Sequence, residues 1–167
     1  MKFIIPILCC FTTVVLFSKT DSTAKKNADD DMHIIYSFGC SYQNEFLAEA
    51  GLMYGWSAKT GPCNPGGMAG IKLASEFNFS PNNFYIAPKI SAQADLIFLA
   101  LRVNIIDYTD FTHHDIKITP EIGITLLGHM DIMYGYNIPT AISTIPNIST
   151  HRVTLTCNFD ENLSVLR

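Results

Sequence analysis

Apolar and polar residues alternate along much of the chain between Ala69 and Phe159. The clearest run extends from Ile116 to Leu126, where Ile, Pro or Leu at every second position is interleaved with Lys, Thr, Glu or Gly. Because successive side chains of a strand point to opposite faces, such a run predicts a β-strand with one apolar and one polar face. Helical spacing fits none of these runs. We therefore predict an all-β protein.

The alternation divides the chain into eight predicted strands, whose connections fit an up-and-down meander. The segments are 34–42, 46–57, 68–79, 84–94, 96–108, 115–127, 129–138 and 151–159. Each is close to the ~9–11 residues that a tilted strand needs to cross a membrane. The predicted fold is an eight-stranded, antiparallel, up-and-down transmembrane β-barrel.

The two alternating phases differ in charge. The 30 positions that we assign to the apolar phase between Ala69 and Phe159 hold no charged residue, and Ser75 is the only serine or threonine among them. The interior of an eight-stranded barrel is just wide enough for side chains to fill it, and buried charges are costly unless they are paired. We therefore predict a salt-bridge network in a plugged lumen, formed by Glu49, Lys72, Glu76, Lys89, Arg102, Lys117, Glu121, Asp131 and Arg152.

Aromatic residues cluster near the predicted strand ends, as the two interfacial girdles of a membrane barrel require. One group is Tyr36, Tyr54 and Trp56, and the other is Tyr42, Phe46, Phe77, Phe79, Phe84 and Phe111. The alternative interpretation is the ordinary aromatic core of a β-sandwich.

The first residues have the features of an export signal. Lys2 precedes an apolar stretch, and small residues suitable for cleavage follow, with cleavage after Ser18 or alternatively after Ala24. A retained membrane anchor is the other interpretation of this segment. The predicted divisions are a signal peptide at 1–18, a flexible leader at 19–32, the barrel at 33–159 and a tail at 160–167.

Composition narrows the functional classes. Charged residues make up 16% of the chain, against roughly 25% in an average soluble protein, and the net charge is −4. An acidic chain without a basic patch does not suit nucleic acid binding. After the signal, Cys40, Cys63 and Cys157 match neither a disulfide framework nor a zinc site. We predict that Cys40 and Cys157 lie far apart and are reduced.

Three strings, 84–90, 118–123 and 134–139, resemble small outer-membrane β-barrel proteins of Gram-negative bacteria. In size and strand pattern, residues 33–159 resemble the OmpA-like and OmpX-like membrane domains. The resemblance implies a monomer in the cell outer membrane, surrounded by outer-membrane lipid. The last strand also resembles the C-terminal assembly signal of that class, in Leu155, Cys157 and Phe159, which implies recognition by the outer-membrane assembly machinery.

Two prolines depart from a regular barrel. Pro88 and Pro120 lie within predicted strands, yet a proline cannot donate a hydrogen bond to its neighbour strand. We predict that each marks a bulge or a local break in pairing.

Catalytic residues are hard to assign. A lipid-modifying barrel enzyme needs a hydroxyl nucleophile beside a histidine and a carboxylate, and no histidine lies in such a local arrangement. His113 and His114 beside Asp115 form the best local cluster, which we interpret as a polar loop. The paired carboxylates Glu76 and Glu121 are explained more simply by ion pairing. We therefore predict no catalytic residue, no metal and no cofactor.

The sequence thus favours a non-catalytic outer-membrane barrel with a structural or adhesive role, or one that passes small solutes in a porin-like way. Two alternatives stay open. A secreted, lipocalin-like barrel that binds an apolar ligand would require the apolar phase to point inward and the charged phase to face water. A lipid-modifying outer-membrane enzyme would require an active site that the sequence does not reveal.

Overall fold

The described residues form a curved sheet of nine β-strands. A computed structural model describes residues 32–58, 67–78, 84–126, 128–140 and 148–160. The strands are β1 (His33–Tyr42), β2 (Phe46–Ala58), β3 (Gly67–Asn78), β4 (Ile86–Leu96), β5 (Leu99–Thr109), β6 (His114–Leu126), β7 (Met130–Tyr136), β8 (Ile138–Pro139) and β9 (His151–Phe159). Among these described segments, no helix is long and apolar enough to cross a membrane.

Antiparallel pairing closes the sheet into a barrel. Each strand from β1 to β6 pairs with the next, β7 and β8 both pair with β6, and β9 pairs with β7 and with β1. Because β7 and β8 together occupy one place in the barrel, the fold is a closed eight-stranded antiparallel barrel. This confirms the predicted all-β, eight-stranded antiparallel barrel. We call the end where β1 begins and β9 ends the termini rim, and the other end the loop rim.

The two strand prolines coincide with local breaks in pairing, as predicted. Between β6 and β7, pairing stops after Glu121 opposite Gly135 and resumes at Ile118 opposite Ile138 in β8. Pro120 lies in that gap and has no N–H to donate, which accounts for the division of the seventh barrel strand. At Pro88, the β4–β5 pairing is likewise interrupted. The register is the same on both sides of each gap, so neither proline forms a bulge.

Burial follows the alternation along the strands other than the two-residue β8. Outward residues such as Leu73, Ile90 and Ile124 are 61%, 46% and 63% exposed, whereas the inward Lys72, Arg102 and Arg152 are buried. Among the described strand residues, the outward face carries an Asp, Glu, Lys or Arg only near the loop rim, at Asp107 of β5. The polar phase therefore lines the interior and the apolar phase covers the outside.

The β4–β5 turn lies later in the chain than the sequence predicts. The predicted boundary between the segments 84–94 and 96–108, which places a tight connection at Ala94 and Asp95, is wrong. The alternation continues to Leu96, and the turn is formed by Ile97 and Phe98. Ile97 has a positive φ of 57°, which is uncommon for a β-branched residue. The longer strand makes Asp95 an inward, buried residue.

The two cysteines of the closing strand pair lie closer than predicted. Both are free, as expected, but Cys40 is opposite Leu155 and Cys157 is opposite Phe38, so they are only two positions apart on neighbouring strands. The prediction that they are distant is wrong because β1 and β9 are staggered. Tyr36, not His33, is opposite Phe159.

Several predictions concern residues outside the described segments. These are the signal peptide with both cleavage sites, most of the leader at 19–32, the tail after Asp160, Cys63 and Phe79. The long connection after β2 and most of the loop between β8 and β9 also lie there.

Candidate functional site: the charged interior

Eight of the nine interior charges that the sequence indicated form one continuous series of ion pairs. Acidic and basic side chains alternate along it, and it crosses the barrel interior from β3 to β7. We call this series the interior ion chain. Its members, in order of contact, are Lys72, Glu49, Lys89, Glu76, Arg152, Glu121, Arg102 and Asp131.

The first half of the interior ion chain joins β2, β3, β4 and β9. Glu49 contacts Lys72 through Oε1 and accepts a hydrogen bond from Lys89 Nζ through Oε2 at 2.5 Å. Lys89 Nζ also donates to Glu76 Oε1 at 2.7 Å, and Arg152 Nη2 donates to the same oxygen at 2.5 Å. These side chains are fully buried, so each charge is stabilised by its partner and not by water.

The second half joins β9, β6, β5 and β7. Arg152 Nε lies 3.1 Å from Glu121 Oε1, which also accepts a hydrogen bond from Thr154 Oγ1 at 2.9 Å. Arg102 Nη1 donates to Glu121 Oε2 at 3.3 Å, and Arg102 Nη2 lies 3.5 Å from Asp131 Oδ2. The interior ion chain thus begins with a base and ends with an acid, and its four bases balance its four acids.

The ninth residue, Lys117, lies apart from this series. Its Nζ is 3.5 Å from Asp115 Oδ2 and 5.9 Å from the centre of the Tyr108 ring. The Tyr108 hydroxyl donates to Gln43 Oε1 at 3.1 Å. Lys117 therefore belongs to a second polar group near the loop rim. Its acidic partner, Asp115, begins the predicted strand 115–127 but is not among the predicted interior charges.

Gly135 makes room for the side chains of Arg152 and Glu121. A Cβ atom at Gly135 would lie 2.8 Å from Arg152 Cγ and 2.8 Å from Glu121 Cγ. A larger residue would push apart the two members of one ion pair. The close approach explains why this inward position is a glycine.

Apolar clusters lie on both sides of the interior charges. Leu47, Tyr85, Ala87, Ile106 and Tyr108 pack together toward the loop rim, with Ile148 against them. Ile35, Met53 and Met68 pack together toward the termini rim. The charged groups are therefore enclosed between two apolar layers, which fits the predicted plugged lumen.

A further buried acid, Asp95, was missed by the sequence reading. It is 1% exposed and accepts a hydrogen bond through Oδ2 from Gln93 Nε2 at 2.9 Å. The same nitrogen donates to Asp131 Oδ2 at 3.0 Å. Two carboxylates therefore share one amide donor at the acidic end of the interior ion chain. Correct placement of the β4–β5 turn would have assigned Asp95 to the inward phase.

The outer surface carries aromatic side chains near both rims. Toward the termini rim these are Tyr36, Tyr54, Trp56, Phe98 and Phe159, and toward the loop rim they are Tyr42, Phe46, Phe77, Phe84, Phe111, Tyr134 and Tyr136. The predicted aromatics within the described residues thus lie on the outside. On the closing strand pair, the Phe38 and Phe159 rings pack edge to face at 6.0 Å. The proposed assembly-signal residues Leu155, Cys157 and Phe159 all lie on the outward face of β9.

The predicted histidine cluster is divided by the strand alternation. His113 Nδ1 lies 3.1 Å from Asp110, His114 Nδ1 lies 3.1 Å from Asp107, and Asp115 points inward. Asp110 also accepts hydrogen bonds from the backbone N–H groups of His113 and Thr112, at 2.6 and 2.8 Å. These bonds lower the pKa of the Asp110 carboxyl to about 2. The cluster is a set of loop-stabilising pairs and not a joint binding site.

A serine, a histidine and an aspartate do meet at the termini rim. Ser57 Oγ lies 3.0 Å from His33 Nε2 and donates to Asp160 Oδ2 at 2.5 Å, while Asp160 Oδ2 lies 2.8 Å from the same Nε2. A proton relay of the serine hydrolase type requires the serine and the acid on opposite ring nitrogens. Here both use one nitrogen, so the group ties the ends of the barrel sequence together. No short sequence pattern could have identified it, because its members are far apart along the chain.

Within the described residues, no group of three or more histidine, cysteine, aspartate or glutamate side chains is arranged to hold a metal ion. Comparison with known proteins adds no assignment. No protein-family model matches the chain, and the searches of curated proteins and of solved structures also give no match.

Proposed function

We propose that the protein is an integral β-barrel of a bacterial outer membrane, with a sealed interior and a structural or adhesive role. The observation that carries this proposal is the distribution of side chains over the two faces of one sheet. Apolar residues cover the outside around the whole barrel, while the buried inside contains the ion pairs. Water-soluble monomers rarely expose a contiguous apolar patch larger than about 300–600 Å².

The lipocalin-like alternative fits this arrangement poorly. A carrier of an apolar ligand would need isoleucine and leucine around its cavity and charged residues in water. In this barrel Lys72 and Glu76 are buried in the interior, and Ile122 and Ile124 are more than half exposed on the outside. An outer membrane supplies the apolar surroundings that such an exterior needs.

Passage of small solutes is the least supported of the predicted roles. The interior ion chain fills the middle of the barrel, and an apolar cluster lies toward each rim. We therefore propose that any recognition is carried by the connections at the loop rim. We retain the resemblance to OmpA-like and OmpX-like domains, the export signal and the assembly role of β9 as parts of this proposal.

A lipid-modifying activity is not favoured by a specific observation. The group formed by Ser57, His33 and Asp160 lacks the geometry of a relay, and Glu76 and Glu121 both contact Arg152. The proposal is therefore non-catalytic.

Fractionation tests the proposal. The full chain should be exported by a Gram-negative host, remain in the membrane pellet after a urea wash, and migrate differently on gels with and without boiling. In planar bilayers the purified barrel should produce no stepwise conductance. Recovery as a folded protein in detergent-free buffer would contradict the membrane assignment, and regular conductance steps would contradict the sealed interior.

A further inference from the structure

Among the described residues, one carboxylate of the interior, Asp95, has no base within ion-pair distance. The interior ion chain contains four bases and four acids, and Lys117 is paired with Asp115. Asp95 is the acid that these pairs leave over. A buried carboxylate without a cation is costly, so its charge requires compensation.

The surroundings of Asp95 point to the place where compensation occurs. Its Oδ2 and the Oδ2 of Asp131 accept hydrogen bonds from one nitrogen, Gln93 Nε2. The Oδ1 atoms of both aspartates are buried and accept no hydrogen bond from the described residues. Two acids thus lie side by side, each with one oxygen available in a buried polar site.

The two acids have unequal support. Asp131 also accepts a hydrogen bond from Asn158 Nδ2 at 2.9 Å and lies 3.5 Å from Arg102. Asp95 has Gln93 as its hydrogen-bond donor and forms no ion pair within 4 Å among the described residues. The negative charge of Asp131 therefore already has partners. The negative charge that still needs a compensating cation is that of Asp95.

We propose that the Asp95–Asp131 pair binds one monovalent cation, a proton or an alkali metal ion, at the termini-rim end of the barrel interior. Charge balance and the two available Oδ1 oxygens carry this assignment. It does not depend on the membrane proposal, because the pair is buried in the barrel whatever surrounds the outside.

Other charged groups around the pair are already engaged. Asp131 of β7, Arg102 of β5 and Lys72 of β3 act electrostatically on Asp95. Glu121 of β6 contacts Arg102, Glu49 of β2 contacts Lys72, and β9 contributes the neutral Asn158. Among the described residues, the other histidine and carboxylate groups on this side of the barrel are His129 of the β6–β7 turn and, at the rim, His33 and Asp160.

The same substitution at two buried aspartates tests the proposal. Asp95→Asn imitates a neutral acid and removes the need for a cation, so the urea midpoint of the purified barrel in micelles should stay the same or rise. Asp115→Asn is the matched control and should lower the midpoint, because it leaves Lys117 without this acidic partner. A loss of stability or of folding in Asp95→Asn, comparable to that of Asp115→Asn, would overturn the proposal.

Titrations distinguish the two kinds of cation. If the pair holds a proton, the folded wild type binds one proton more than the unfolded chain above about pH 4. Its unfolding constant should then rise by up to about tenfold per pH unit relative to Asp95→Asn, until the site loses the proton. If the pair holds an alkali metal ion, sodium or potassium chloride should stabilise the wild type relative to Asp95→Asn at constant pH, and choline chloride should not.

Asp131→Asn provides an independent check. Without the second carboxylate, the dependence on pH or on the metal ion should become weaker, since Asp95 no longer shares the site with a like charge. A difference between wild type and Asp95→Asn that is insensitive to both pH and metal salts would contradict the proposed site. An unchanged dependence in Asp131→Asn would contradict the assignment to a pair.

Discussion

The inside and the outside of this barrel are formed by the same strands, yet the inside buries charged side chains and the outside exposes apolar ones. On the inside, glutamates, lysines and arginines are buried and every member of the interior ion chain has a partner of opposite charge. On the outside, large apolar side chains are about half exposed and form no ion pairs. The comparison shows that the contacts between specific partner residues lie within the barrel. The outer surface requires mainly that its side chains be apolar.

The largest expected contrast comes from two adjacent residues of β3. Glu76→Gln removes the carboxylate that contacts both Lys89 and Arg152, and loss of one partner of a buried ion pair costs about 3–5 kcal/mol. Ser75→Ala, one residue earlier on the outward face, should change the free energy of unfolding by less than about 0.5 kcal/mol. Urea unfolding in micelles measures the change in the free energy of unfolding for both variants. Equal losses of stability would show that the two faces of the sheet do not differ as described.

The second contrast concerns the outer face alone. Ile90→Arg places a charge at mid-height, and in a bilayer this costs about 2–4 kcal/mol, whereas the same change near an interface costs about 0–1 kcal/mol. Phe111→Arg at the loop rim is the matched control. Unfolding from lipid vesicles should separate the two variants. If Ile90→Arg were as well tolerated as Phe111→Arg, the apolar outer face would not be in contact with acyl chains.

Packing should also be less tolerant inside than outside. Gly135→Ala adds a methyl group between Arg152 and Glu121, and overpacking of a filled interior costs about 1–3 kcal/mol. Ala92→Val enlarges an outward residue and should change stability by less than about 0.5 kcal/mol. The same unfolding measurement checks this pair, and a tolerated Gly135→Ala would indicate that the interior is loosely filled.

The smallest effect is expected in the exposed β5–β6 loop, where ionic hydrogen bonds are in contact with water. The lowered pKa of Asp110 means that its contribution to loop stability is present above about pH 4 and is lost as the pH falls toward 2. The amide proton resonances of Thr112 and His113 should shift over this interval in the wild type. In Asp110→Asn the shift should be absent, and its persistence would assign it to another group.

The sequence predicts the structure best where the alternation of apolar and polar residues continues without a break along a whole strand. All nine predicted interior charges are buried, because alternation with a period of two determines which face of the sheet a residue occupies once its strand is identified. Pro120 marks a break in strand pairing because it has no N–H. The inward position of Asp95 was not predicted, because a small residue followed by a polar one, Ala94 and Asp95, is typical of a turn. The turn itself is formed by Ile97 and Phe98, and neither is a typical turn residue.

Contacts between distant strands were beyond the reach of the sequence. The stagger that brings Cys40 near Cys157 depends on how the whole barrel closes. The meeting of Ser57 with His33 and Asp160 depends on the same register, as does the pairing order of the interior ion chain. Alternation predicts which face a residue occupies, but not its partner on another strand.

The depth of a mid-strand outward side chain tests the central claim most directly. Trp56 is the only tryptophan, so a Trp56→Phe, Ile90→Trp variant reports from mid-height on the outer face alone. In vesicles, its fluorescence should be quenched most strongly by lipids brominated deep in the acyl chain and little by aqueous iodide. Strong iodide quenching with no effect of brominated lipid would contradict the account, because the apolar face would then be in water.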